Sequence, residues 1–270
     1  DFDPLLTMSD LHGSYLQPEK KTGIYWRFGP FSFEKYFGDT EPVITPLPKE
    51  KARLARVIMW QRRTSAKKPG KWMSFGKQIS QKIGFLRLGA DYKKTWSGTA
   101  LRYLRKWEKE FLNSVYTIEE VSYDRFAKLY LKSTIPISLR RPTLWEIRMR
   151  MKNPKSAVTF MVVRRARDGR DVAGMAWMKS SLLPVSYYMA GCITKESGND
   201  PVMTGLFDHW FRWCMLHGVH FADFGGFWWK GGDSSWKGLS RFKGKFGPLY
   251  FFYPAILYRF EFGSGGSQNS

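Results

Sequence analysis

The stretch from His220 to Tyr253, HFADFGGFWWKGGDSSWKGLSRFKGKFGPLYFFY, constrains the chain more than any other. His220 to Phe224 is a short apolar run ending in Gly225 and Gly226, so it reads as a strand entering a turn. An aromatic, basic, glycine-rich loop follows, with Trp228, Trp229, Lys230, Trp236 and Lys237. Leu239, Phe242 and Phe246 then recur at helical spacing, with Arg241, Lys243 and Lys245 between them, which predicts a helical turn. Leu249 to Phe260 is rich in aromatic and aliphatic residues and predicts strand. So many aromatics in one loop either pack as core beneath a turn or serve a ligand. The ligand reading has a physical basis: glycines admit close backbone approach, lysines meet negative charge, and aromatic faces stack on bases or sugars.

Charge narrows the partner. The 270 residues carry a formal net charge of +21. Polyanions are therefore the expected partners: nucleic acid, an anionic membrane surface or a phosphorylated substrate. The excess is uneven, with 18 Lys and Arg against 3 acids between Lys49 and Lys109. A one-sign block of that size repels itself in a compact state, so a binding surface is the favoured reading over a merely solvated face. Hydrophobic residues make up 43% of the chain, enough for a core and against wholesale disorder. The two cysteines, Cys192 and Cys214, and the four histidines, His12, His209, His217 and His220, show no metal-ligand spacing. No metal is expected, and the cysteine usage suits a reducing cytoplasm. With no apolar run of membrane-spanning length and no signal peptide in view, a cytoplasmic location is expected, with the inner membrane face as a candidate contact. The sequence opens at Asp1, so its natural start is expected further upstream, and residues 263–270 read as a flexible tail.

Taken in order, Gly23 to Phe28 predicts a strand closed by Gly29-Pro30, and Lys49 to Arg63 an amphipathic helix with a cationic outer face. Trp72 to Leu88 holds one or two strands, and Ser97 caps a helix running to Leu112. A second unit begins near Val115 with a strand to Val121, then a helix capped by Ser122, then a short helix announced by the capping box Thr143 and Glu146. Ser156–Arg164 and Val172–Met178 form a hairpin about Asp168-Gly169. A strand Val185–Ile193, an apolar helix Val202–Leu216 stopped by Gly218, and the strand His220–Phe224 complete the unit.

That order, carried by AVTFMVV, VAGMAWM, VSYYMAG, GLFDHWFRWCMLHG and HFADFGG, resembles the GNAT acyltransferase fold. Coenzyme A-dependent members carry a glycine-rich signature after the third strand that cradles the cofactor pyrophosphate on backbone N–H groups. Here the loop reads TKESGNDPVMTG, in which Pro201 removes one donor and the glycine spacing differs, so no coenzyme A is expected. The segment Asp223–Gly226, followed by Gly238, Leu239, Phe242, Lys243, Phe246 and Gly247, resembles the FemABX-like peptidyltransferases. Those proteins are two GNAT-like units in tandem that use aminoacyl-tRNA as co-substrate. The resemblance implies an α/β (α+β) fold of two such units, each a mixed, mostly antiparallel sheet flanked by helices. It places them at residues 1–113, completed by strand 250–262, and at residues 114–249, which hold the aminoacyl-tRNA site.

The resemblance also implies roles. Phe242 and Lys243 match the family's Phe-Lys pair at the tRNA acceptor end, with Lys243 as the catalytic cation. A fixed cation helps most beside the oxygen on which charge develops as an amine attacks the aminoacyl ester. Phe242 would stack on the terminal adenine or else pack in the core. Arg241, Lys245, Trp228, Trp229, Lys230 and Lys237 are further candidates for tRNA contact, and Asp223, Gly225 and Gly226 for local structure. The expected function is transfer of an amino acid to an amine of a peptidoglycan precursor, which can be lipid-linked. The competing readings are an aminoacyl-phosphatidylglycerol synthase, an acyl-CoA N-acyltransferase with a divergent loop, and a non-catalytic RNA-binding module.

Overall fold

Long apolar runs between 156 and 193 are too hydrophobic to leave either face of a sheet in water, and helices cover both. The computed structural model describes residues 23–28, 31–37, 42, 55–61, 70–74, 79–152, 156–181, 183–229, 234–254 and 256–262. The chain forms two compact units, residues 1–82 with 251–270 and residues 83–250.

Among the described residues the first unit holds a five-stranded sheet. Strands β1 (Gly23–Phe28), β2 (Phe31–Phe37), β3 (Ala55–Gln61) and β4 (Met73–Ser74) are joined by β12 (Leu257–Phe262), in the order β1-β2-β3-β12-β4. β12 pairs antiparallel with both β3 and β4. The cationic helix expected over Lys49–Arg63 is, in its described part, strand β3. Its period is two: Arg56, Ile58 and Trp60 are all buried. Arg56 is an inward position because it has partners there, Glu34 at 2.6 Å and Glu261 at 3.2 Å. The remainder of Lys49–Arg63, residues 1–22 and residues 263–270 lie outside the described residues.

Among the described residues the second unit is built on a seven-stranded sheet. In chain order its strands are β5 (Ile79–Arg87), β6 (Tyr116–Glu120), β7 (Ser156–Arg165), β8 (Asp171–Ser180), β9 (Val185–Ile193), β10 (Phe221–Phe227) and β11 (Leu249–Pro254). The spatial order is β11-β5-β10-β9-β8-β7-β6. The helices are α1 (Gly98–Lys106), α2 (Tyr123–Lys132), α3 (Ile137–Met151), α4 (Val202–Leu216) and α5 (Lys237–Gly244). β6 through β8 pair antiparallel, as do β8 and β9.

Alternation along β7 divides the core in two. Met161 and Val163 join the cluster of α1 and α4, which includes Leu104, Leu206, Phe207, Trp210 and Phe211. Phe160 and Val162 join Phe126, Leu129, Leu144 and Ile147 of α2 and α3. The same clusters fix the unit boundary. Leu86, Leu88, Tyr92, Trp96 and Leu104 are buried with α4, so residues 83–113 belong to the second unit rather than the first.

Ser97 and Ser122 cap α1 and α2 as expected, accepting from the N–H groups of Ala100 and Arg125. Beyond Lys106, α1 continues as a π-helical turn, Trp107–Phe111. The Thr143–Glu146 box caps nothing: α3 starts six residues earlier, after Pro136, and Glu146 instead pairs with Arg150 one turn on. Gly225 and Gly226 do not end β10, which runs on to Phe227 through a left-handed Gly225 at φ +69°.

Gly205 shows how tightly α4 is seated. A Cβ there would run into the buried Trp107 ring. Gly to Ala inside a helix ordinarily stabilises by about 1 kcal/mol. Here the sign reverses, and Gly205→Ala is expected to cost about 1–3 kcal/mol through overpacking, read as a lowered Tm in calorimetry.

Candidate active site

β9 and β10 are parallel, but they pair over three positions only: Phe221 with Val185, Ala222 with Ser186 and Asp223 with Tyr187. Both strands then continue, β9 to Ile193 and β10 to Phe227. The far end of β10, Tyr187 and Tyr188 of β9, Arg150 of α3 and Lys243 of α5 converge where this pairing stops.

Lys243 is the centre of the group. Its helix packs through Phe242 and, just beyond, Phe246, both against Phe207 of α4. That packing turns Lys243 inward, leaving it 1% exposed. Its ammonium donates to the carbonyl oxygens of Phe224 at 2.8 Å and Gly226 at 2.6 Å. Residues two apart in a regular strand repeat at about 6.8 Å, too far for one nitrogen to bond both carbonyls so closely. The left-handed Gly225 between them draws the two oxygens together. Nζ also lies 4.6 Å from the Phe227 ring centroid and 5.6 Å from that of Tyr188. Burial lowers the Lys243 pKa to about 7, and Asp223 opposes that shift. The two carbonyls and the aromatic faces favour the charged form.

Asp223 is fully buried at the last paired position of β10. Its Oδ1 accepts from the Gly225 N–H at 2.6 Å, which braces the bulge, while its Oδ2 has no hydrogen-bond partner. Burial raises its pKa to about 7, against the pull of the Gly225 N–H, Lys243 and Arg150. Arg150 is buried, pairs with Glu146, and stacks 5.2 Å over the Tyr187 ring. The Tyr187 hydroxyl in turn would lie 3.2 Å from a Cβ on Gly225. Arg150, Tyr187, Tyr188 and Phe227 were not among the residues singled out from sequence. The Tyr187-Tyr188 pair was legible only as strand, and Arg150 reads as one more base in a basic segment.

The other expected residues divide. Phe242 is half-buried, and its ring packs edge-on against Phe207 and Phe246, so the core reading describes its contacts. Lys237 lies 4.6 Å from the Trp228 ring, and the Trp228 N–H donates to the Ser240 hydroxyl, tying the loop back to α5. Trp229 is half-buried, Trp236 and Arg241 are exposed, and Trp236 borders Gly226. Lys230 lies outside the described residues. Lys245 sits over the Tyr103 ring of α1, and its carbonyl accepts from the Ser97 N–H. Arg102, Arg105 and Lys106 are exposed on α1, the helix that carries Tyr103.

The loop before α4 is held by side chains. The Tyr116 hydroxyl donates to Asp200 at 2.6 Å, and Arg165 donates to the Glu196 carbonyl. Pro201 stands at the helix start with no capping side chain, and Trp107 fills the space beside Gly205 one turn on.

The buried carboxyl yields a prediction with a definite sign. Asp223 holds its proton up to about 7 in the folded protein, against about 3.9 in an unfolded chain. Between those values the folded state binds more protons, so this residue's contribution to stability falls as pH rises through that window. Asp223→Asn keeps the acceptor for the Gly225 N–H and removes the titration. Urea unfolding is expected to show the variant gaining on the unaltered chain as pH rises from 4 to 7.

No protein-family model matches the sequence, and neither does any curated protein. Solved structures do. FemX matches with a TM-score of 0.60 at 12% identity, covering 90% of this chain and 86% of that one. L-PGS from Bacillus licheniformis matches with a TM-score of 0.53 at 14% identity, covering 90% and 82%. A tandem GNAT protein from the clavulanic acid biosynthesis pathway matches with a TM-score of 0.53 at 8% identity, covering 90% and 80%. The parted parallel strands, the bulged Asp-Phe-Gly-Gly strand and the inward lysine are thus set in a FemABX-like GNAT fold.

Proposed function

We propose that this chain is an aminoacyltransferase that moves an amino acid from aminoacyl-tRNA to an amine on a cell-wall precursor. The observation that carries the proposal is the inward ammonium of Lys243, held on two converging carbonyls of the bulged strand. The FemABX-like fold and the FemX and L-PGS likenesses support it. In this reaction the acceptor nitrogen attacks the ester carbonyl, the bond to the tRNA ribose oxygen breaks, and that oxygen leaves with the proton shed by the amine. An amide and uncharged tRNA result. Negative charge appears transiently on the carbonyl oxygen. An ammonium has three N–H donors, and Phe224 and Gly226 engage two. The third is available to that oxygen, pre-placed and largely free of water, where such a donor is most effective. A neutral amine has two N–H groups only, both already committed, so the protonated form is the one required.

The bases of α1 and α5, with Tyr103 and Trp236 exposed among them, supply a surface for the acceptor arm of tRNA. Coenzyme A is not part of the reaction we propose. The likeness to L-PGS favours one second reading, in which the acceptor is a lipid headgroup rather than a peptide amine.

The test is to incubate the protein with mixed charged tRNAs and precursor amines and to weigh the acceptors. Mass addition from aminoacyl-tRNA is expected, and transfer from acyl-CoA instead would overturn the assignment. Lys243→Ala is expected to slow single-turnover transfer by about 10²–10³-fold while tRNA affinity changes little. Since burial holds Lys243 near 7, the rate at saturating acceptor is expected to decline as pH rises through that value. Lys243→Arg, which stays charged, is expected to lack that alkaline decline whatever its absolute rate.

A further inference from the structure

Helix α3 turns an unusual face to water. Ile137, Arg141, Trp145, Arg148 and Lys152 follow one another at steps of four, four, three and four, so they share one side of the helix and its C-cap. All five are exposed, Ile137 at 80% and Trp145 at 59%. The opposite side, with Leu144, Ile147 and Arg150, is buried. Leu139 and Met151 are exposed beside the stripe, and so is Leu131 at the end of α2. Arg140 ties these two helix ends together, donating to the carbonyls of Leu131 and Ile135. Eight basic residues face two acidic ones between Tyr123 and Lys152, and one of those acids, Glu146, is paired with Arg150.

We propose that this face of α3 docks the protein on bilayers rich in anionic lipid. Trp145 and Ile137 would enter the headgroup layer, with Arg141, Arg148 and Lys152 at the phosphates. The mixture of residues selects this partner. Exposed aliphatic side chains contribute nothing to a phosphate backbone, whereas a bilayer interface accepts an indole, aliphatic carbons and cations in one plane. Juxtaposed cations and an anionic leaflet attract within a Debye length. The opposite face of α3 sends Arg150 to the Tyr187 ring beside the bulged strand, so docking here would bring a lipid-borne amine to the flank of the candidate site. The surface does not depend on the transfer reaction being correct, since it is read by binding alone.

The experiment is co-sedimentation of the full chain with phosphatidylcholine vesicles with and without phosphatidylglycerol. Binding is expected only with phosphatidylglycerol, and it should weaken with salt. Trp145→Ser, and separately the pair Arg141→Glu and Arg148→Glu, are each expected to lower the partition coefficient about tenfold or more with unchanged thermal unfolding. The same charge change at the β7–β8 turn, Arg167→Glu with Arg170→Glu, controls for net charge and is expected to act less than about twofold. The proposal fails if the unaltered chain ignores phosphatidylglycerol, or if the control pair acts as strongly as the α3 pair. It also fails if the α3 variants lose retention of tRNA while keeping that of vesicles.

Discussion

An ammonium group removed from water must find its solvation in the protein, and the second unit is arranged to supply it. Lys243 is solvated by two backbone carbonyls and two aromatic faces. Each depends on something else. The carbonyls converge because Gly225 is left-handed, and Gly225 is braced by the Asp223 carboxyl. The lysine reaches them because Phe242 and Phe246 anchor α5 on α4. An unpaired charge at this depth would cost several kcal/mol, so these contacts are conditions of folding. The same burial weakens the lysine as a permanent cation. A buried acid and a buried base of nearly matched proton affinity therefore lie within electrostatic reach of one another, and each moderates the shift in the other.

Much of the second unit was legible. Strand β9 and helix α4 begin and end where periodicity and the stop signals put them, because Gly218 takes φ +68° and Pro201 stands at the helix start. The motif pointed to Lys243 but not to its burial, since a lysine beside Gly244 in a basic segment looks like surface. Strand β3 was misread for a clear reason. An inward arginine breaks the apolar alternation that marks a strand, and only the distant partners Glu34 and Glu261 make it an inward residue. Arg150 was hidden in the same way, because Glu146 offered a plausible local role as a capping residue. Misreadings of this kind fall on charged residues whose partners lie far away in sequence or have a competing local explanation.

In the proposed reaction the positive surface and the inward lysine would divide the labour of handling a polyanion. Exposed bases on α1 and α5 attract at a distance and discriminate little, and salt screens them. Lys243, being buried, is sheltered from that screening, so in the proposed reaction affinity and reactivity would be set by different residues. Among the described residues the sheet of the first unit is smaller than that of the second.

Strand β12 lies between β3 and β4, although the whole of the second unit separates it from both in sequence. During synthesis the ribosome therefore releases β1 to β4 long before the strand that completes their sheet. The second unit can reach its final form while the first still lacks an inner strand, with the β3 edge open to wrong partners. In such a chain the part made first is the part that waits longest for its last strand.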